Sequence, residues 1–449
     1  MRESGTNGTA VGLRTRAHAG LFIGDWWHMY IPRVIDGLLS ERLGTFGAVL
    51  VEGPKWCGKS TSAARLAASE LRIADPSNMY QNRRLAEGDV GTALQGARPR
   101  LIDEWQEVPA TWDAVRYECD RAGGLPGQFI LTGSATPREQ EAPIHSGAGR
   151  IGRVRMDTLT LQELGVSSGS SSLRALFEGA APTGESRLTL SRVAGLICHG
   201  GWPAAAHLSD RQAMSIAASY VDAVAGEDLV RIDGVSRSPE RVRRLIASLA
   251  RNEATLATRK TISADTSAGS AAALSASTVG DYLAALGKLF FTDDVPAWNP
   301  ALRSPVRIRA ARKHHLSDPS LAAAALGATP DSLVADLKTM GLLFESLVTH
   351  DLLVYARVQG ATVSHYRDDS NLEVDLIVQQ AGGAWGAFEV KLGAAQEDEG
   401  AKNVLALERK MVERGERPAA VRAVIVGVGG VACVRPDGVA VVPLDTLGV

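Results

Sequence analysis

The sequence predicts an α/β fold built on a parallel sheet, and three observations carry that expectation. Gly53-Pro54-Lys55-Trp56-Cys57-Gly58-Lys59-Ser60 has the spacing of a P-loop: glycine, four variable residues, then Gly-Lys-Ser. The apolar run Ala48-Val49-Leu50-Val51 precedes it and an alanine-rich helix from Ser60 to Ala68 follows, so strand, loop and helix come in the order the motif requires. Two later apolar runs, Leu101-Ile102 and Phe129-Ile130-Leu131, each end in acidic or hydroxylic residues, as strands of a doubly wound sheet do where they face a ligand.

Glycines let the loop turn tightly and present successive N–H groups to phosphate oxygens, and the following helix adds the positive end of its dipole. Gly53, Pro54, Lys55, Trp56, Cys57, Gly58, Lys59, Ser60 and Thr61 are therefore the expected nucleotide contacts, with ATP and Mg²⁺ as cofactors. Lys59 is expected to reach the β- and γ-phosphates, and the Ser60 hydroxyl to complete the Mg²⁺ site, because Mg²⁺ takes hard oxygen ligands. A glycine-rich turn before an ordinary helix is the competing reading. Arg98 to Glu104 reads as a short strand ending in two carboxylates, a Walker B candidate in which Asp103 holds Mg²⁺ through water and Glu104 orients the attacking water. An exposed Asp-Glu turn is its alternative. Gln128 to Ser134 reads as a third strand, with Thr132 or Ser134 sensing the γ-phosphate unless those groups serve only a turn. In Gly149-Arg150-Ile151-Gly152-Arg153 an arginine, Arg150 first, is a candidate finger for a neighbouring subunit's nucleotide; a solvated basic turn competes with it.

Length and composition set the class. At 449 residues the chain exceeds one core, and about three domains are expected. Its 45% apolar and 22% charged content excludes disorder of the whole chain. A formal charge of -2 gives no global attraction to nucleic acid, so any such contact must come from local basic patches. Cys57, Cys119, Cys198 and Cys433 are scattered without zinc or paired spacing and read as reduced thiols. With no apolar run of membrane-spanning length and no signal-peptide core, a cytoplasmic location without membrane contact is expected.

Residues 1–24 are polar and aperiodic and read as a flexible tail. Trp26 to Leu43 has helical spacing and leads into the P-loop strand. Gly165 to Ser172 shifts to glycine and serine and reads as a loop or linker. Arg211 to Ile232 is helical, with Ile216, Tyr220, Val221 and Val224 on one face; Pro239 to Ala250 repeats the pattern, and Ser277-Thr278 would cap a further helix through Leu289. Helices followed by a β-like tail from Phe290 suit a winged helix. Arg303, Arg307, Arg309, Arg312, Lys313, His314 and His315 form a basic run, read as phosphate-backbone contact or as a solvated face. Beyond it, Leu372, Val374, Leu376 and Val378 would face a core, with Glu373 and Asp375 on the other side. Phe388, Val390 and Leu392 likewise point inward and Glu389 and Lys391 outward. For Asp375 to lie opposite Glu389, the connection must have an odd count, such as Ala381-Gly382-Gly383, or contain a bulge. A charged helix from Lys402 to Glu413 and a buried strand from Val421 to Val428 complete an α/β layer.

In order, GPKWCGKS, LIDEWQEVP, FILTGSAT, GRIGRVRM and HGGWPAA resemble the motifs of prokaryotic AAA-type ATPases that carry an uncharacterised C-terminal domain, across most of residues 28–395. The resemblance implies an ATPase core over 25–165, a helical lid and linker over 166–236, a winged-helix-like module over 237–328, and a domain resembling the PD-(D/E)xK nuclease fold over 329–449. Trp56-Cys57 inside the loop and the Ser/Ala-rich stretch Ser263 to Ser277 depart from the family pattern. For the C-terminal acids the resemblance implies Asp375 and Glu389 holding Mg²⁺, Lys391 orienting or activating water, and Glu345 on an apolar helix as a further acid. A cross-strand salt bridge is the alternative. The expectation is a homo-oligomeric ATPase, with a hexameric ring as one candidate assembly, that binds and remodels DNA, branched DNA in particular. An ATP-dependent switch or scaffold whose C-terminal domain binds a protein is the other class kept open.

Overall fold

The computed structural model describes residues 30–135, 145–235, 237–267, 273–301 and 311–449. The tail, Trp26 and Trp27, and Arg303, Arg307 and Arg309 lie outside the described residues. Strands β1 (Ala48–Glu52), β2 (Ser69–Arg72), β3 (Arg100–Asp103), β4 (Phe129–Gly133) and β5 (Ile151–Arg155) make a parallel sheet in the order β2-β3-β4-β1-β5. The apolar run of β1 and all of β4 are buried, because central parallel strands are covered on both faces. β4 stands between the P-loop strand and the acidic strand, in register Val51 to Thr132 and Asp103 to Thr132. That single insertion places a hydroxyl between loop and acid.

Two local readings shift. The helix expected to run back to Trp26 is Asp36–Leu43 among the described residues. Pro32 lacks an amide to donate, and Arg33 leaves the helical path to bind groups far along the chain. The stretch Gly165 to Ser172 reads in sequence as a loop or linker. Instead Ser167 donates to the Leu447 carbonyl at 2.5 Å, and β6 (Ser171–Ser172) pairs with β13 (Leu447–Gly448), so this strip is the dock for the last residues of the chain.

Helices Leu190–His199, Asp210–Ala223, Leu229–Asp233, Pro239–Arg251, Arg259–Asp265 and Ala276–Lys288 follow, with one π-helical turn at Val224–Asp228. The cap of the last is Ser275, whose hydroxyl accepts from Thr278 N–H at 3.1 Å, rather than Ser277 or Thr278. Arg259–Asp265 is an extra helix, and the β-like tail makes single antiparallel bridges, Thr292 to Leu316 and Val295 to Lys313.

A second sheet holds β7 (Thr362–Arg367), β8 (Glu373–Gln379), β9 (Trp385–Gly393), β10 (Val421–Val428), β11 (Cys433–Val434) and β12 (Ala440–Pro443), in the order β11-β12-β10-β9-β8-β7. The β8–β9 pairing runs from Leu376 with Phe388 to Gln379 with Trp385 and stops one step short of Asp375 and Glu389, in the register that would set these two opposite each other. Gln380 N–H bonds the Ala384 carbonyl at 2.8 Å, which leaves the three-residue connection Ala381-Gly382-Gly383. The single apolar face expected for β8 is broken. The pairing with β7 slips beside Asp375, so Val374 packs under the helix Glu397–Glu413 while Leu376 and Val378 face the opposite core. Nor do Glu389 and Lys391 face solvent: Glu397–Glu413, longer than the expected 402–413, lies over their side of β9. One buried cluster runs from Trp202, Tyr220 and Leu245 through Phe291 to Phe344, Phe388 and Ile425, so the helices after residue 190 and the second sheet share a core. No helix among the described residues is long and apolar enough to cross a membrane.

Candidate functional site

The loop after β1 is shaped by contacts that only glycine permits. A Cβ on Gly53 would stand 1.9 Å from the Met156 carbonyl oxygen, so the chain needs glycine where it leaves the strand. Trp56 holds a left-handed φ of 63°, unusual for an aromatic residue and a mark of a conformation imposed by its surroundings. Those surroundings are specific. Lys55 Nζ pairs with Asp228 at 2.6 Å, the Trp56 ring meets Tyr220 edge-on at 5.6 Å, and Arg33 donates to the Cys57 carbonyl at 2.7 Å. Arg33 also bonds the carbonyls of Asp157 and Thr158 and the Glu163 carboxylate, tying the loop to the segment after β5.

The residues expected to act on a triphosphate converge below this loop. Lys59, buried at the start of helix Lys59–Leu66, donates to the carbonyls of Gly53 at 3.0 Å and Pro54 at 2.7 Å. Turning it to a phosphate would exchange neutral acceptors for charged ones, which make stronger bonds. Ser60 and Thr132 both donate to the same oxygen of Asp103, each at 2.5 Å. Glu104 turns off the strand with φ 57° and accepts from Ser134 at 3.0 Å and from Gln106. Both candidate sensors therefore touch an acid, Thr132 the first and Ser134 the second. The oxygen donors of Ser60 and Asp103 fit a hard divalent ion, and these two residues would hold Mg²⁺, which when bound neutralises triphosphate charge. A cavity of about 730 Å³ opens here, lined by Trp56, Lys59, Ser60 and Thr61 on one side and by Pro203 and Ile216 on the other.

The far wall is a strap formed by His199-Gly200-Gly201-Trp202-Pro203. Gly201 lies so near Leu159 that a Cβ would stand 2.1 Å from its carbonyl oxygen, and Gly201 N–H bonds Asp318 at 2.9 Å. Trp202, fully buried, donates to Ser320 at 3.0 Å. The paired glycines allow the approach and the tryptophan anchors it, which brings Pro203 to the cavity. Two adjacent glycines before a tryptophan were the available signal; Arg33 had none. Arg150 is not brought to this loop. It precedes β5 at the opposite end of the sheet, half-exposed and paired with Asp120 at 2.8 Å.

From β5 a buried ionic network leads to the long helix Leu337–Val358. Asp157 binds Arg155 at 3.0 Å and Arg357, which reaches Asp293 at 2.5 Å. Burial alone would raise the Asp157 carboxyl, but Arg357 and Arg155 hold it well below the usual carboxylate range. Nearby, Thr158 gives its hydroxyl hydrogen to Asp318 at 2.7 Å, so it can only accept from His350 Nε2 at 2.9 Å, while His350 Nδ1 meets Asp351 at 3.0 Å. A ring that donates on both sides is the charged form. Burial disfavours that form, yet the bond and charge of Asp351, with Asp318 and Asp157, push His350 up to about 9. Because this exceeds an unfolded value of about 6.5, the charged ring contributes stability that is complete below that pH and is lost as pH rises through about 9. Melting curves from pH 6 to about 9.5 should show a falling Tm, and a shallower fall in His350→Gln; equal slopes would remove His350 as the cause.

The C-terminal acids also gather, but around ammonium groups. Glu345, on Leu337–Val358, lies 2.7 Å from Lys313 Nζ, with Glu373 at 3.3 Å and Asp375 at 3.6 Å from the same nitrogen. Lys391 pairs with Glu389 at 3.0 Å and Glu399 at 3.3 Å. Burial and the charge of Asp375 push both Glu345 and Glu389 upward, against the pull of Lys313 on one and Lys391 on the other. Lys313, expected on a basic surface, is therefore buried and internal; Arg312 remains exposed. The cluster does not fit a divalent ion in this arrangement, since each carboxylate already faces a lysine, and no group of three or more His, Cys, Asp or Glu among the described residues is arranged to hold a metal.

Comparison with known proteins bears on the same segments. Residues 191–332 match a domain of unknown function (DUF8612), and 340–447 match another (DUF4143). Two uncharacterised proteins, Mb2031c of Mycobacterium bovis and Rv2008c of Mycobacterium tuberculosis, are each 32% identical over 132 residues, and the chain spans 29% of the length of each. Among solved structures, the Walker-type ATPase PABY2304 of Pyrococcus abyssi has TM-score 0.36 and 13% identity, over 66% of this chain and 96% of that one. RuvB T158V of Thermotoga maritima has TM-score 0.24 and 17% identity, over 62% and 90%. Likenesses this weak leave the site to be read from its own geometry. Residues 45–165, the segment that holds the P-loop, Asp103, Glu104 and Thr132, match the family model of an AAA domain.

Proposed function

We propose that the chain is an oligomeric motor that hydrolyses ATP with Mg²⁺ to bind and remodel DNA, branched DNA in particular. The observation that carries the hydrolytic part is the convergence of Ser60 and Thr132 on one oxygen of Asp103, beside Lys59 and Glu104. In this reading Lys59 and the loop amides bind the β- and γ-phosphates, Glu104 orients water, and Ser134 and Gln106 hold Glu104 in place. Arg150, exposed and remote from its own loop, serves a neighbouring subunit's nucleotide. Support for DNA comes from the helices Pro239–Arg251 and Ala276–Lys288, followed by an antiparallel bridged pair with exposed Arg312 beside it, an arrangement akin to a winged helix.

A second reading, an ATP-dependent switch or scaffold with a non-cleaving C-terminal domain, is favoured by the lysines at the acids. Cleavage by that domain would need Mg²⁺ on Asp375 and Glu389, with Glu345 as a further acid and Lys391 at the water, where Lys313 and Lys391 form ion pairs. ATP turnover measured with single-stranded, duplex and four-way DNA separates the readings. Stimulation by DNA supports the motor; turnover indifferent to every DNA but raised by a protein partner supports the scaffold.

A further inference from the structure

The geometry points to Lys313 as the resident cation of the C-terminal carboxylate cluster: its ammonium stands where a divalent metal would, and it latches the bridged stretches 291–297 and 311–316 onto the second sheet. The inference deepens the non-cleaving reading of this domain and is independent of the ATPase. Lys313 is 1% exposed, and three carboxylates from two elements, Glu345 on a helix and Glu373 and Asp375 on β8, surround its nitrogen. A buried ammonium without such partners would carry a large desolvation cost, and so would the carboxylates without it.

Delivery of the side chain is fixed by backbone. Lys313 exchanges both N–H···O bonds with Val295, each at 2.9 Å, and His314 N–H bonds the Thr255 carbonyl at 2.9 Å. Two residues later the Leu316 N–H donates to Glu253, which also accepts from Ser346 on the same long helix as Glu345. The lysine is thus placed from a stretch held by single backbone bridges. The remaining acids are engaged as well: the second oxygen of Asp375 accepts Val390 N–H at 2.9 Å, and Glu389 has Lys391. A divalent ion entering among them would meet like charge at close range.

Titration of the full, nucleotide-free chain with Mn²⁺, read by electron paramagnetic resonance, tests the first half. Wild type and Asp375→Asn should bind the same number of ions, since any ion at the P-loop is common to both; one ion lost in Asp375→Asn overturns the inference. Thermal melting tests the second half. Lys313→Met should lower Tm by on the order of 5–10 °C, and Glu345→Gln added to it should restore part of the loss. An unchanged or raised Tm overturns the latch. If Lys313→Met does not fold, Lys313→Arg, which keeps the charge, must fold, and its failure would also count against a purely ionic role. Wild-type ATP turnover in the same preparation reports on the P-loop reading separately.

Discussion

Replacing Lys59 with alanine is expected to abolish ATP hydrolysis, lowering turnover by about three orders of magnitude or more. The reason is where charge accumulates. A transferring phosphoryl group spreads negative charge over its oxygens, and Lys59 is the cation that the P-loop itself carries at the base of the cavity. The change removes the two bonds from Lys59 to the Gly53 and Pro54 carbonyls, but the loop should survive it, because Gly53 against Met156, Arg33 on the Cys57 carbonyl and Lys55 on Asp228 still set its path. Folding measured by circular dichroism should therefore match wild type while turnover is lost. A folded Lys59→Ala protein with normal turnover would refute the phosphate assignment.

The largest effect on stability is expected at Arg357. Arg357→Met removes one of the two arginines that Asp157 and Asp293 share, and leaves both acids to Arg155, with Asp157 in a buried setting. Breaking a buried pair from one side costs about 3–5 kcal/mol, and the remaining arginine should hold the loss near 3 kcal/mol. Urea unfolding would show it as a lower midpoint at unchanged slope. Asp157→Asn in the same background should then cost much less than it does alone, because the two groups act on each other. Additive losses would mean that Arg357 acts through packing and not through Asp157.

Both sites meet on one element. The helix Leu337–Val358 carries Glu345 toward the Lys313 cluster, and His350, Asp351 and Arg357 toward the segment after β5, which Arg33 in turn joins to the P-loop.

What the chain's order of residues determined by itself was everything with short range. Glycine spacing, an apolar run before it and a polar end on each following strand were enough to place Lys59, Ser60, Asp103, Glu104 and Thr132, since a parallel sheet brings strand ends to one edge. An odd-numbered connection was likewise enough to give β8 and β9 the register that leads toward Asp375 and Glu389. Tertiary structure decided the rest. It buried Lys313, whose neighbours Arg312, His314 and His315 made it look like surface; it broke the face of β8 with a bulge and covered Glu389 with a helix; and it turned the serine-rich strip near Ser171 into a partner for the chain's last strand. In each case the deciding partner is another element, adjacent in the chain or distant, and local periodicity says which side of an element is apolar but not what will come to lie upon the other.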